Sequence, residues 1–236
     1  MRKIRCEQCP MRGRSLVADL PDNKLDVFRT YSTLAIYKSR QVIFHEGAPA
    51  SGLYFVCHGA VKLFQSDRSG RDHILGVAGP GGVLGEIPTD PSEPCSVSAE
   101  TLTDSQLCHL PRERLLQFVQ DYPMVGVRLI AALSASLGAA HRKVRSLALQ
   151  SAEGRLADLL IQLAGTTGSG NGKTRLTLRY SRQQIAEMID VSTETAIRLL
   201  GRLKRKRAIS TAHRELIIAD ADKLLLIANN DNIGSP

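Results

Sequence analysis

The stretch MVGVRLIAALSASLGAAHRKVRSLAL, residues 124–149, decides the fold of this chain because it predicts one long helix with a single apolar stripe. Apolar side chains recur at steps of three, four, three, four and three residues, at Ile130, Leu133, Leu137, Ala140, Val144 and Leu147. This spacing is typical of the seam between two paired helices. Pro123 precedes the stretch, where a proline disturbs a helix little. The pattern predicts a helix that pairs with its copy in a second subunit; the alternative is an amphipathic helix packed on its own domain.

Length and composition indicate a soluble protein of two modest domains. Its 236 residues, 43% hydrophobic and 23% charged, suffice for two domains that each bury a core. No apolar run approaches the ~20 residues of a membrane helix, and the N-terminus lacks the apolar region of a signal peptide, so we expect a cytoplasmic protein with no membrane partner. Five cysteines are then more typical of thiols or metal ligands than of a disulfide framework.

The positive charge is concentrated in one short segment. Between Lys173 and Arg214 the chain has eleven Lys and Arg against three acidic residues, which accounts for the whole net charge of +8. The remainder is neutral. Such a concentration is the electrostatic footprint of a polyanionic partner.

Short apolar runs broken by glycines predict an antiparallel β-roll or barrel. They lie at 42–44, 53–56, 61–64 and 74–75, with further strands between 97 and 110, after a short helix at 22–31. We expect the intervening glycines to take positive φ angles in turns. These are Gly47, Gly52, Gly59, Gly70, Gly79, Gly81, Gly82 and Gly85.

The chain beyond the long helix has the layout of a winged helix-turn-helix. Ser181 is predicted to cap a first helix, a turn follows at 190–192, and a second helix runs from Thr193 to about Arg207, before a two-stranded wing at 209–218 and a closing helix at 222–228. The predicted fold class is thus α+β. Its domains are an arm at 1–20, a β-roll sensor at 21–122, a dimerisation helix at 123–150 and a DNA-binding domain at 151–236.

The start of the second helix carries the side chains that can read bases. Thr193, Glu194, Ile197 and Arg198 are predicted on its outer face, where such a helix enters the major groove. Arginine can bind guanine N7 and O6 together, glutamate can accept from cytosine N4, and isoleucine can contact a thymine methyl. The alternative is that Glu194 and Arg198 form only a surface ion pair, which would leave the basic segment unexplained.

These motifs resemble the CRP/FNR superfamily of bacterial transcription regulators over nearly the whole chain. The matching residues are GAPASGLYFV at 47–56, GAVKL at 59–63, Gly85-Glu86, the long helix and ETAIRLLGR at 194–202. The resemblance implies a cyclic-nucleotide-binding-like β-roll and a homodimeric activator that works with RNA polymerase. It also implies a pseudo-palindromic DNA site with a TGA-like core read by Glu194 and Arg198. Ile197 departs from the Ser or Gly of the best-known branches. The resemblance therefore does not imply which base is read at the outer position of each half-site.

The resemblance also implies which side chains contact phosphates. Ser181, Arg182, Gln183, Ser192 and Thr195 match positions that the family directs at phosphates. Arg202 and Lys204, in the same basic segment, are assigned to phosphates with them.

The sensor domain departs from the cyclic-nucleotide pattern that the resemblance supplies. Glu86 is present for a ribose hydroxyl, but Cys95-Ser96 stands where cyclic-nucleotide binders have Arg-Ser for the phosphate. Without the arginine the charge-assisted contact is lost. Pro88, Pro91 and Pro94 interrupt the helix expected there. We therefore do not expect cAMP to bind.

The cysteines suggest a different signal. In the oxygen-sensing FNR-type members four cysteines hold a 4Fe–4S cluster, and the resemblance puts three of them on Cys6, Cys9 and Cys108, with Ser15 where the remaining cysteine belongs. Oxygen, redox change or nitric oxide would then be sensed. The alternative is a relic site in which Cys6 and Cys9 are exposed, oxidisable thiols, giving a cluster-free, constitutive or thiol-controlled regulator.

The other candidate ligands have simpler explanations. Cys57 and Cys95 are predicted to be buried small residues. His109 and His141 are lone histidines, which more often bind neither haem nor metal. Ala140 occupies the seam position at which FNR-type switches carry an acidic residue, so we expect a dimer without any added signal.

An enzymatic function is not expected. The sequence offers no nucleophile–base pair and no metal-hydrolase motif, which leaves a redox or haem-dependent enzyme with a basic tail as a remote alternative. A nucleotide-binding module without a DNA function would not explain the charge distribution.

Overall fold

The computed structural model describes residues 17, 25–87, 90, 93–165, 175–176, 180–212 and 215–229. The chain forms two compact units, Met1–Ala140 and His141–Pro236.

The first unit is a β-roll of two four-stranded antiparallel sheets. In chain order it contains α1 (Leu25–Tyr31), β1 (Thr33–Tyr37), β2 (Val42–Phe44), β3 (Gly52–His58), β4 (Val61–Ser66), β5 (Asp72–Ala78), β6 (Val83–Glu86), β7 (Ser98–Thr101), β8 (Ser105–Pro111), α2 (Arg112–Asp121) and the first part of α3 (Pro123–Leu149). The strands are ordered β1-β8-β3-β6 in one sheet and β2-β7-β4-β5 in the other.

Two apolar clusters hold the β-roll together. One joins residues of both sheets, with Val56, Val61 and Leu107 at its centre. The other packs the β3–β8 face against the helices through Leu110, Leu115 and Phe118. Alternation of side chains along β3 and β8 supplies both clusters, because successive residues of a strand face opposite sides.

Gly85 allows β6 to approach β3 closely, and Gly52 allows β3 to approach β8. Gly85 has φ +97°, and a β-carbon there would lie 2.4 Å from the carbonyl oxygen of Gly52. Gly52 has φ +133°, and its β-carbon would meet the carbonyl oxygen of Leu110 at 2.3 Å. Only glycine fits these positions without shifting backbone.

The second unit is a winged helix-turn-helix. It contains the end of α3, then α4 (Ala152–Gly165), β9 (Arg175–Leu176), α5 (Arg182–Met188), α6 (Thr193–Arg205), β10 (Ile209–Ala212), β11 (Glu215–Ile218) and α7 (Ala221–Asn229). The strands form one antiparallel sheet in the order β10-β11-β9. Its core has Leu156, Leu160, Ile185, Leu203 and Leu216 at 0% exposure.

The predicted fold class is confirmed: α+β, with a β-roll, a long helix and a winged helix-turn-helix. The sequence analysis missed strands β1 and β6, and the wing has a third strand, β9. Helix α6 ends at Arg205, two residues early, because Arg207 takes a positive φ of 57°. Gly79 and Gly82 do not have the positive φ expected of them.

One described helix has the length and composition of a membrane span, which the sequence analysis did not anticipate. Helix α3 is long and apolar enough to span a membrane by length and composition, since its first 18 residues carry a single charge. Only 6% of that segment is buried.

Candidate nucleic-acid interface

Serine side chains cap the N-termini of α5 and α6, the two helices of the helix-turn-helix. At α5, the Ser181 hydroxyl accepts from the backbone N–H of Gln184 at 3.1 Å, and the Gln184 side chain accepts from the Ser181 N–H at 2.8 Å. This capping box satisfies two otherwise unpaired donors. At α6, the Ser192 hydroxyl accepts from the N–H of Thr195 at 3.2 Å. The predicted cap at Ser181 is therefore confirmed.

The two helices pack against each other through apolar side chains. Ile185, Ile189, Ala196 and Leu200 are buried, with exposures of 8% or less. The turn between the helices passes through Asp190 at φ 55°, a conformation that aspartate tolerates better than most residues. This packing directs the opposite face of α6 away from the core.

The outer face of α6 presents a mixed polar and apolar surface. Glu194 and Arg198 are exposed, Ile197 is 54% exposed, and Thr193 is half-buried. The Arg198 guanidinium donates to the Thr195 hydroxyl at 3.4 Å, and no ion pair joins Glu194 to Arg198. The alternative of a surface ion pair is thus not seen. The Glu194 backbone N–H and the Ser192 hydroxyl lower the pKa of the Glu194 carboxyl, which keeps it an acceptor.

The predicted phosphate contacts lie at the ends of these helices. Ser181, Arg182 and Gln183 are exposed at the start of α5, and Arg202 and Lys204 are exposed near the end of α6. Ser192 and Thr195 are at the start of α6, where their hydroxyls hydrogen-bond each other at 3.1 Å. Helix N-termini offer backbone N–H groups to phosphate oxygens, which suits the positions at the helix starts, and exposed cations such as Arg202 and Lys204 suit phosphates by their charge.

Two cations that the sequence analysis missed hold the end of α5. The Lys143 ammonium donates to the Met188 carbonyl. The Arg155 guanidinium donates to the Ile189 carbonyl at 2.9 Å and to the Gln150 carbonyl at 3.0 Å. Burial lowers the pKa of Lys143. These contacts satisfy terminal carbonyls of α5 and anchor the last turns of α3 and the start of α4 beside the helix-turn-helix.

The seam of α3 is exposed in the protomer. Ile130, Leu133, Leu137, Val144 and Leu147 have exposures of 40–66%, and Ala140 is exposed as well. Val125 is the one residue of the helix that is buried. A contiguous row of large apolar side chains left in water is typical of an unformed interface.

A cavity of about 360 Å³ lies beside Glu86 in the β-roll. Its lining residues are Leu53, Gly85, Glu86, Ile87, Glu93 and Leu133. The Glu86 carboxylate accepts from the Ser96 N–H at 3.0 Å and from its hydroxyl at 2.6 Å, so Ser96 is already engaged. Among these described lining residues there are two carboxylates and no Lys or Arg to oppose a phosphate.

The cysteines fall into three groups. Cys6, Cys9 and Ser15 lie outside the residues that the structure describes. Cys95 is buried as predicted, and burial followed by the Glu86 charge raises its pKa. Cys57 is only half-buried, which corrects the expectation of a buried residue, and its Sγ lies 3.5 Å from Sγ of buried Cys108. No group of three or more potential metal ligands occurs among the described residues.

The two candidate histidines belong to different units of the chain. His109 stacks on Tyr54, with ring centroids 4.4 Å apart, and its Nε2 is 3.2 Å from the Ser51 hydroxyl. Burial lowers its pKa. His141 is exposed on α3.

A β-roll, a long helix and a winged helix-turn-helix in this order define a class of DNA-binding transcription regulators with a nucleotide-binding type of sensor domain. The cyclic nucleotide-binding domain model matches residues 35–122, and the Crp-like helix-turn-helix domain model matches residues 154–227. The chain belongs to the CRP/FNR superfamily.

Individual relatives agree with this assignment. The chain is 27% identical over 183 residues to the CRP-like cAMP-activated global transcriptional regulator of Mycobacterium tuberculosis, covering 77% of this chain and 82% of that one. The structure of the c-di-GMP responsive global regulator CLP of Xanthomonas campestris matches with a TM-score of 0.72 and 27% identity, over 84% of this chain and 99% of that one. FixK2 of Bradyrhizobium japonicum shares the fold, with a TM-score of 0.72 and 24% identity over 83% and 96% of the two chains.

Proposed function

We propose that this chain is a homodimeric, sequence-specific transcription activator that acts in the cytoplasm on DNA and RNA polymerase. The observation that carries the proposal is the outer face of α6, where Glu194, Ile197 and Arg198 are exposed while the opposite face is buried. The net charge of +8 lies in the segment around this helix. A basic surface around an exposed recognition helix fits the major groove of double-stranded DNA.

The chemistry of the exposed side chains Glu194, Ile197 and Arg198 on α6 suits particular DNA bases. Arg198 binds the guanine of a TGA half-site through N7 and O6, and Glu194 accepts from the cytosine N4 paired with that or a neighbouring guanine. Ile197 contacts a thymine methyl or the edge of the outer base. Phosphate contacts from both helix starts and from Arg202 and Lys204 fix the register.

Selection from a random duplex pool tests this function. We expect the purified full chain to enrich two TGA-containing half-sites related by a two-fold axis and separated by about one helical turn. Enrichment of a single, unpaired half-site would contradict the dimer, and enrichment of no sequence would contradict base reading by α6.

Dimerisation through the α3 seam is part of the proposal. Its support is the row of exposed apolar side chains at heptad spacing, which each protomer leaves uncovered. A two-fold axis along the seam brings identical side chains together, and Ala140 adds no charge there. The dimer is thus expected in air without an added ligand.

Cyclic AMP is not the signal in this proposal. The described lining of the Glu86 cavity has no cationic side chain, and Ser96 is bonded to Glu86. We expect millimolar cAMP to leave the thermal midpoint and the operator affinity unchanged, whereas a ligand at 100 times its Kd stabilises by about 2.7 kcal/mol. Differential scanning calorimetry with and without cAMP measures this, and a rise in the midpoint would contradict it.

Two alternatives for the signal differ in whether Cys108 binds a metal cluster. In the first, Cys6, Cys9 and Cys108 hold a 4Fe–4S cluster that reacts with oxygen or nitric oxide, since thiolates are the ligands such clusters prefer. In the second there is no cluster, and the regulator is constitutive or controlled by its thiols. Cys108 is 5% exposed and has one thiol neighbour among the described residues, so the described residues supply one of the three family ligands.

Anaerobic reconstitution with iron and sulfide separates the two alternatives. A cluster gives broad absorption in the blue, which must disappear in Cys108→Ala. Because a cluster with Ser15 in the fourth place lacks one thiolate, we expect any absorption to bleach rapidly in air. Absence of the absorption, or its persistence in Cys108→Ala, would eliminate the first alternative.

The proposal includes no enzymatic step. The relatives with the same two domains are transcription regulators. The remote alternative of a redox or haem-dependent enzyme would require a ligand set that includes His109 or His141, each a lone histidine in the sequence.

A further inference from the structure

Two thiols meet across neighbouring strands in the β-roll. Phe55 on β3 lies opposite Cys108 on β8, so Cys57, two residues further along β3, is on the same face of the sheet as Cys108. The strand pairing shifts between Val56 and His58, which makes Cys57 the extra residue of a bulge. The two sulfur atoms are 3.5 Å apart.

One cysteine of the pair is buried and the other is partly exposed. Cys108 is 5% exposed in the apolar cluster that contains Leu110 and Phe118. Cys57 is half-buried and packs against the same cluster, so the pair combines one buried and one partly exposed residue. Cys95 is equally buried but belongs to the segment between β6 and β7, hydrogen-bonded through its backbone to Ala48 and Gly47.

We propose that Cys57 and Cys108 are a redox-active dithiol that hydrogen peroxide converts to a disulfide. A disulfide needs the sulfurs about 2.05 Å apart, so they must approach by about 1.5 Å through side-chain rotation. A pair already in van der Waals contact on one sheet face can make this movement without breaking the strand ladder.

The reaction balances as a two-electron oxidation. The Cys57 thiolate attacks one oxygen of the peroxide, the O–O bond breaks, and a sulfenic acid and hydroxide form. The Cys108 sulfur then attacks the sulfenic sulfur, the S–O bond breaks, and water leaves with the proton of the second thiol. The dithiol loses two electrons and two protons, and peroxide is reduced to two water molecules.

The inference bears on signalling but does not depend on DNA binding. Cys108 cannot be a thiolate ligand and a disulfide partner at the same time, so disulfide formation and a metal cluster on Cys108 exclude each other. Strand β8 continues directly into α2. A covalent bond between β3 and β8 therefore lies next to the connection toward α3.

Peptide mapping of the full chain tests the bond. The reduced protein, freed of metal by a chelator, is treated with hydrogen peroxide and digested with trypsin after alkylation. We expect residues 41–62 to be linked to residues 72–112, with a mass about 2 Da below the sum of the thiol forms because two hydrogens are lost. Since the second peptide also holds Cys95, cleavage after Glu100 is needed to assign the bond to Cys108.

Matched variants complete the test. Cys95→Ala should leave the link unchanged, whereas Cys57→Ala and Cys108→Ala should each abolish it. A link from Cys57 to Cys95, a link to the peptide holding Cys6 and Cys9, or oxidation of Cys57 to sulfinic acid with Cys108 still a thiol would overturn the proposal. Operator binding measured on the same samples reports separately on the proposed function.

Discussion

Arg198→Ala is expected to weaken binding to the selected TGA-containing duplex by about 1–3 kcal/mol, or roughly 5- to 150-fold, and to relax the preference for guanine at the position it reads. Binding to unrelated duplex DNA should change far less, because the guanidinium is assigned to a base edge and not to a phosphate. The specific-to-nonspecific ratio is therefore the quantity that falls.

The structure indicates that this substitution will leave the domain folded. The Arg198 side chain is exposed, and its one hydrogen bond, to the Thr195 hydroxyl, is long at 3.4 Å. The helix start depends instead on the Ser192 cap. Circular dichroism of the variant should match the unsubstituted chain.

Lys204→Ala is the matched control, since Lys204 is an exposed cation one and a half turns further along α6. Loss of the Lys204 charge should weaken binding to all DNA sequences alike. It should also reduce the magnitude of the slope of log K against log salt concentration by about 0.9, the contribution of one phosphate contact. Fluorescence anisotropy titrations over a range of salt measure both variants. An unchanged specific-to-nonspecific ratio in Arg198→Ala would mean that α6 does not read the bases as proposed.

The helix-turn-helix could be predicted closely because its signals are local. Ser181 and Ser192 are capping residues followed by apolar residues at helical spacing, and both caps form as hydrogen bonds within three residues. Strands β3 and β4 could be predicted for a similar reason, since each contains a mainly apolar run that follows a glycine.

The missed strands have sequences that carry weaker signals. Strand β6 is four residues long and contains Gly85 at a positive φ, so its composition is typical of a turn. Its place in the sheet depends on pairing with β3, where Leu53 lies opposite Gly85, and the local sequence does not reveal this pairing. Strand β1 follows α1 after a single residue, and its pairing partner is β8, about 70 residues away.

Two contacts missed at the candidate sites join residues distant in sequence. Lys143 and Met188 are 45 residues apart, and Cys57 and Cys108 are 51 apart. Sequence spacing indicates neither contact, because each contact depends on how two separate elements are aligned in the folded protein. The Cys57 contact also lies beside a bulge, which the sequence does not reveal.

The unsubstituted chain should sediment as a dimer at micromolar concentration in air, and Leu137→Glu should convert it to a monomer. Leu137 is 58% exposed in the protomer and lies in the middle of the seam. Losing one buried leucine from each subunit removes about 3–6 kcal/mol, or roughly a 10²- to 10⁴-fold change in the dimerisation constant, at 1.5–3 kcal/mol per side chain. Two glutamates facing each other across the two-fold axis add repulsion in the same direction.

Ala135→Glu is the matched control for this variant. Ala135 is exposed on the same helix but two residues from Leu137, and therefore on nearly the opposite side of a helix with 3.6 residues per turn. It introduces the same charge and should leave the dimer intact. If both variants dimerise, α3 is not the interface; if both are monomers, the effect is one of charge on the helix and not of the seam. Because two half-sites are read together only by a dimer, Leu137→Glu should also lose most of its affinity for the palindrome while keeping the salt-dependent binding of a single domain.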